Sequence, residues 1–152
     1  MRDFFHIQMT DAELSTISVL GLAHIGDAVY ELLTRTALCA RGKCTSKTLH
    51  RDTVKRVCAP AQALAMQKLT DILNDEEQSV FKRGRNAKVN SVPKSASVSD
   101  YHTATGLETL FGYLYLKGRY DRINELFEII LEEKSSKVQI VLCFISKLLL
   151  RV

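Results

Sequence analysis

Apolar residues recur at helical spacing through most of this chain, and strand-like alternation never persists long enough to build a sheet. The pattern predicts an all-α fold. A first helix is expected over residues 16–40, ending in the turn at Arg41 and Gly42. A second helical stretch starts at Ser46, a good N-cap, and runs to about residue 69, with Pro60 splitting or kinking it. Residues 71–83 read as a shorter helix. The polar, turn-rich segment GRNAKVNSVPKSASVS that follows reads as a loop. Asp100 is placed as the N-cap of a helix running to about residue 117, where Gly118 stops it. A last helix covers residues 120–134.

The end of the chain, KVQIVLCFISKLLLRV, breaks from this style. Val138, Val141, Leu142, Ile145, Leu148, Leu149 and Val152 fall on one helical stripe, although the β-branched content also suits a strand. Core or dimer packing is the ordinary reading of such a stripe, and membrane-surface binding is the other. The chain is therefore divided into one domain over 1–134 and an apolar extension over 135–152. No stretch reaches the ~20 apolar residues that a membrane span needs.

Two interruptions of the apolar pattern carry the chemistry. In LAHIGDAVYELLTR, residues 22–35, a Gly-Asp pair sits inside a helical apolar run. Glycine weakens a helix interior by about 1 kcal/mol relative to alanine, and a carboxylate among leucines must be solvated, paired or bound to metal. At 100° per residue Asp27 shares a face with Leu20, Ala23, Tyr30, Glu31 and Thr34, while Leu22, Ile25, Val29 and Leu32 point mostly into the core. The helix after the polar loop repeats the design. Glu108 is the sole acid between Asp100 and Asp121, and Gly112 follows one turn later. A small residue beside each acid lets the two helices approach and bring the carboxylates together. Such a pair repels unless a proton or a cation lies between its members. Magnesium suits it, because that ion often needs only one or two carboxylates plus water and phosphate. A solvated helix face is the plainer reading of either acid.

Charge and cysteine usage narrow the class further. The 152 residues carry a formal net charge of +4, which leans towards an anionic partner. The four cysteines are irregularly spaced with no C-x-x-C pair, and the four histidines complete no zinc spacing, so reduced thiols are expected. The opening MRDFFHIQMTDAELS carries early acids and no apolar run, unlike a secretory leader.

GDAVYE at 26–31, KRGRNAK at 82–88, VPK at 92–94 and LETLFGYLYLKG at 107–118 occur in this order across residues 10–133. Together they resemble the mini-ribonuclease III group, the short bacterial branch of the ribonuclease III family. The resemblance implies the helical endonuclease-domain fold of that family, a homodimer, and magnesium-dependent hydrolysis of double-stranded RNA with 5′-phosphate products. It makes Asp27 and Glu108 both catalytic residues and metal ligands. Full-length members usually carry further acids four residues before that aspartate and three before that glutamate. Here those positions hold Ala23 and Thr105. Thr105 is read as a residue that orients water at the metal. Glu31 is either a supporting acid or simply solvated. The family also implies a substrate, precursor 23S ribosomal RNA, an assisting ribosomal protein, and a cytoplasmic location.

Substrate holding is expected to be electrostatic. Lys82, Arg83, Arg85, Lys88 and Lys94 precede the next acid, Asp100, and Asn86 among them can reach 2′-hydroxyls. A solvated loop would have the same composition, but the resemblance assigns this segment to RNA binding. His50 and Arg51 belong to a second, weaker basic cluster. Only 18 residues follow Lys134, too few for an appended double-stranded-RNA-binding module, so the domain is expected to bind unaided. The rival reading is a non-catalytic protein of the same fold that grips structured RNA.

Overall fold

The computed structural model describes residues 3–42, 45–88 and 96–132. Among them are helices α1 (Asp11–Ser15), α2 (Val19–Ala40), α3 (Ser46–Val57), α4 (Ala59–Leu69), α5 (Asp75–Arg85), α6 (Val98–Leu116) and α7 (Tyr120–Leu131), and no strand. The all-α expectation holds. Lys94, Cys44, Cys143 and the apolar extension over 135–152 lie outside the described residues. Among the described residues, Cys39 and Cys58 are free and exposed, and no helix is long and apolar enough to cross a membrane.

Several boundaries differ from the sequence reading, and side-chain capping explains most of the helix starts; Thr45, not Ser46, is the N-cap of α3. The expected first helix is two. Thr10 and Glu13 form a capping box that starts α1. Ser18 then accepts from the backbone N–H of Gly21 at 3.0 Å and starts α2 afresh. Asn74 and Glu77 form another box, so α5 begins at Asp75. It also runs through Gly84 to Arg85, so part of the expected loop is helical. Ser97, not Asp100, caps α6; its hydroxyl accepts from the N–H of Asp100 at 3.0 Å. The long second stretch divides at Cys58, with Pro60 in the first turn of α4, where its missing N–H costs nothing. Gly118 ends α6 with φ +71°, as a left-handed stop requires.

The centre of the molecule is α6. Leu107, Leu110, Phe111 and Leu114 are completely buried, and α2, α4, α5 and α7 all pack on this helix. A helix covered on every side has no reason to show one apolar stripe, and α6 shows none. Tyr30 of α2 meets Phe111 and Phe127 edge-to-face, at centroid distances of 5.5 and 5.8 Å. A buried ion pair fixes the start of α5: Arg122 of α7 donates to both carboxylate oxygens of Glu77, at 2.8 and 2.9 Å. The chain before α1 is tied to the end of α6, where the N–H of Met9 donates to the carbonyl of Leu116 at 2.7 Å.

Candidate active site

Asp27 and Glu108 are brought together by the α2–α6 crossing. A Cβ on Gly26 would lie only 1.7 Å from the carbonyl oxygen of Glu108, so the two backbones touch beside the two acids. That contact decides which face of α2 is buried. Leu22, Gly26, Tyr30, Thr34 and Leu38, spaced every four residues, turn inward. Tyr30 and Thr34 are therefore core residues and not part of a polar stripe around Asp27. Leu32, expected to point inward, is 58% exposed. Asp27 itself sits at the solvent edge of the crossing, while Glu108 is largely covered.

The electrostatics follow from this placement. Burial, then the charge of Glu31, raise Asp27 above the usual aspartate range, and His24 partly offsets them. Burial, then the charge of Asp27, push Glu108 up to about 7. Asp27 ionises first, and Glu108 holds a proton close to neutrality unless a cation takes its place. Gln62 of α4, buried to 1%, faces Glu108 closely enough to favour its charged form. No hydrogen bond of ordinary geometry joins the two, and neither amide atom of Gln62 has a partner among the described residues. The sequence reading passed over Gln62. Its signal was a lone carboxamide heading the buried stripe of Ala65, Met66 and Leu69.

Among the described residues no group of three or more histidine, cysteine, aspartate or glutamate side chains is gathered to hold a metal ion. Two neighbouring carboxylates remain. They fit magnesium, which takes oxygen ligands and keeps several waters, better than zinc, whose protein sites usually have three or four protein ligands that include histidine or cysteine.

The other expected site residues are placed as follows. Thr105 is buried, one turn before Glu108, and its hydroxyl donates to the carbonyl of Tyr101 at 3.0 Å. Its proton is thus committed to the helix. Glu31 accepts from Nε of Arg35 at 2.9 Å at the surface. Lys82, Arg83 and Arg85 lie on the last turns of α5, with Asn86 as its C-cap and Lys88 beyond; all five are exposed. Among the described residues, no salt bridge engages these four cations. Lys82, Arg85 and Asn86 line a groove of about 440 Å³ with Gln67, Ser99 and Thr103. His50 and Arg51 are exposed on α3, away from this groove's lining, and Arg51 pairs with Asp52 at 3.0 Å. The fold brings Asp27 and Glu108 to one crossing, with Thr105 one turn before Glu108, and sets Lys82, Arg83 and Arg85 on α5, which packs on α6.

A Ribonuclease III domain model matches residues 20–119, which span α2 to α6 and both acids. The chain belongs to the ribonuclease III family and is an endoribonuclease of double-stranded RNA. Its relatives place it with the short Mini-ribonuclease 3 proteins. It is 42% identical over 142 residues to Mini-ribonuclease 3 of Clostridium tetani, covering 90% of this chain and 93% of that protein. With Mini-ribonuclease 3 of a Thermoanaerobacter species it shares 43% identity over 121 residues, covering 80% and 85%. The crystal structure of a Fusobacterium nucleatum protein superposes with a TM-score of 0.71 at 31% identity, covering 76% of this chain and 94% of that one.

Proposed function

We propose that Asp27 and Glu108 hold magnesium and that the chain hydrolyses phosphodiesters of duplex RNA at this pair. One observation carries the reading: Glu108, beside Asp27 and largely covered, is pushed up to about 7. A protein has little reason to keep so costly a pair unless a cation joins it. When bound, the cation supplies Lewis acidity to the scissile phosphate and the attacking water. The chain's own residues do the rest. The α2–α6 contact fixes the spacing of the carboxylates, and α5 presents Lys82, Arg83 and Arg85 to backbone phosphates, with Asn86 and Lys88 continuing the basic strip. Lys94 is assigned the same role from the sequence.

Similarity to the Mini-ribonuclease 3 proteins supports a finer reading. The substrate is precursor 23S ribosomal RNA, cut in the cytoplasm by a homodimer with help from a ribosomal protein. Exposed apolar residues such as Leu20, Leu32 and Leu64 offer surface for the second copy.

The test is cleavage of a labelled RNA duplex with and without magnesium, using wild type, Asp27→Asn and Glu108→Gln of verified fold. Cutting that needs the metal and both acids supports the assignment. Binding without cutting by the wild type would favour the non-catalytic RNA-binding reading. Cutting that survives both substitutions would place the site elsewhere.

A further inference from the structure

The buried stripe of α4 is apolar except at its head, where Gln62 turns a full carboxamide inward. A carboxamide offers two donors and two acceptor lone pairs. Buried without partners, such a group is costly, and leucine or methionine would pack there without that cost. The titratable group it faces is Glu108. It enters the site from a third helix, while Asp27 and Glu108 come from α2 and α6.

Resting on the metal-site reading above, we propose that Gln62 is a positioning residue of the active site, holding the Glu108 carboxylate for the cation and completing the polar shell around it. Two carboxylates supply few protein oxygens to an ion that prefers six. The two threonines flanking Glu108 on α6 have their hydroxyl protons committed to the helix, Thr105 to the carbonyl of Tyr101 and Thr109 to that of Thr105. A third acid would add to the repulsion between Asp27 and Glu108, whereas a neutral amide adds none. With the cation in place, its N–H groups would donate to the Glu108 carboxylate and its oxygen would accept from water in the shell. Outer partners of this kind typically set metal affinity by about 10- to 100-fold.

The experiment titrates Mn2+, as a magnesium surrogate visible by electron paramagnetic resonance, into RNA-free wild type, Gln62→Met, Gln62→Asn and Asp27→Asn. Methionine keeps the volume and removes the amide; asparagine keeps the amide but draws it back by one methylene. The expected result is Mn2+ binding by wild type, a loss of about tenfold or more in Gln62→Met, and a smaller loss in Gln62→Asn. On duplex RNA, Gln62→Met should lower kcat with KM within about twofold. Wild-type Mn2+ affinity in a folded Gln62→Met would overturn the proposal while leaving the carboxylate site standing, provided that Asp27→Asn abolishes binding. No Mn2+ binding by wild type would overturn the metal-site reading and this inference together. Should Gln62→Met fail to fold, Gln62→Asn decides: weaker binding supports the role, and wild-type affinity overturns it.

Discussion

Gly26 and Gly112 face each other across the α2–α6 crossing, and neither has room for a methyl group. A Cβ on Gly26 would lie 2.7 Å from the backbone nitrogen of Gly112, and one on Gly112 would lie 2.9 Å from that of Gly26 and 2.0 Å from the carbonyl oxygen of Leu22. Each glycine weakens its own helix by about 1 kcal/mol. In return the helices close to backbone contact, with Asp27 next to one glycine and Glu108 one turn from the other.

Gly26→Ala therefore forces rigid backbones apart rather than a flexible side chain aside. It should cost about 3 kcal/mol or more, at the top of the usual overpacking range, because the clashing atoms are backbone. The melting temperature should fall by roughly 10 °C. A melting curve within about 2 °C of wild type would contradict the contact.

Glu108 links stability to pH. Unfolded, it ionises near 4.5; folded, near about 7. The folded protein thus binds the extra proton between these values and loses stability as pH rises through them, by at most about 3 kcal/mol. Glu108→Gln removes that cost. Without divalent cations it should melt several degrees above wild type at pH 8 and match it near pH 4. Magnesium should raise the melting temperature of wild type and leave the variant unmoved. Identical curves at pH 8 would count against the strained carboxylate.

The pairing of Glu77 with Arg122 gives the opposite sign. Burial raises Glu77, but the two Arg122 hydrogen bonds and the Asn74 N–H outweigh it and hold the carboxyl below the usual glutamate range. Its contribution is present above about pH 4.5 and lost as pH falls through the lowered value. Arg122→Ala strands a carboxylate that is 1% exposed and should cost about 3–5 kcal/mol near neutral pH. The deficit should shrink on acidification, as Glu77 takes up a proton first in the variant and, below its lowered folded value, in wild type as well. Chemical denaturation at pH 7 and pH 3.5 measures both.

Lys82 and Arg85 should act on RNA through charge alone. Each alanine substitution should weaken duplex binding across unrelated sequences and lower the slope of log affinity against log salt by about 1. The melting temperature should not change, since both side chains are exposed. A loss confined to one RNA sequence would point to base contacts instead.

Local chemistry made much of this protein legible in one dimension. Helix starts are encoded in Thr10, Ser18, Asn74 and Ser97, whose oxygens satisfy free N–H groups nearby in the chain, although the apolar periodicity passed over all four. Pro60 and Gly118 mark a break and a stop for reasons internal to their own backbones. The paired acids stood out because carboxylates are rare inside apolar helices, and the order of motifs carried the family. The misplaced boundaries are those where several caps compete within a few residues, as Ser97 does with Asp100.

Tertiary packing decided the rest. Periodicity assigns a buried face only to a helix covered on one side, and α6 is covered on all. On α2 the residues were known but the inward direction was not; Gly26 sets it by admitting the backbone of α6, which buries Tyr30 and Thr34 and exposes Leu32. Glu108 is perturbed by what other helices bring to it, and Gln62 joins it from 46 positions away along the chain. Spacing within one helix holds no record of such a meeting, because the distance that matters is measured across the core.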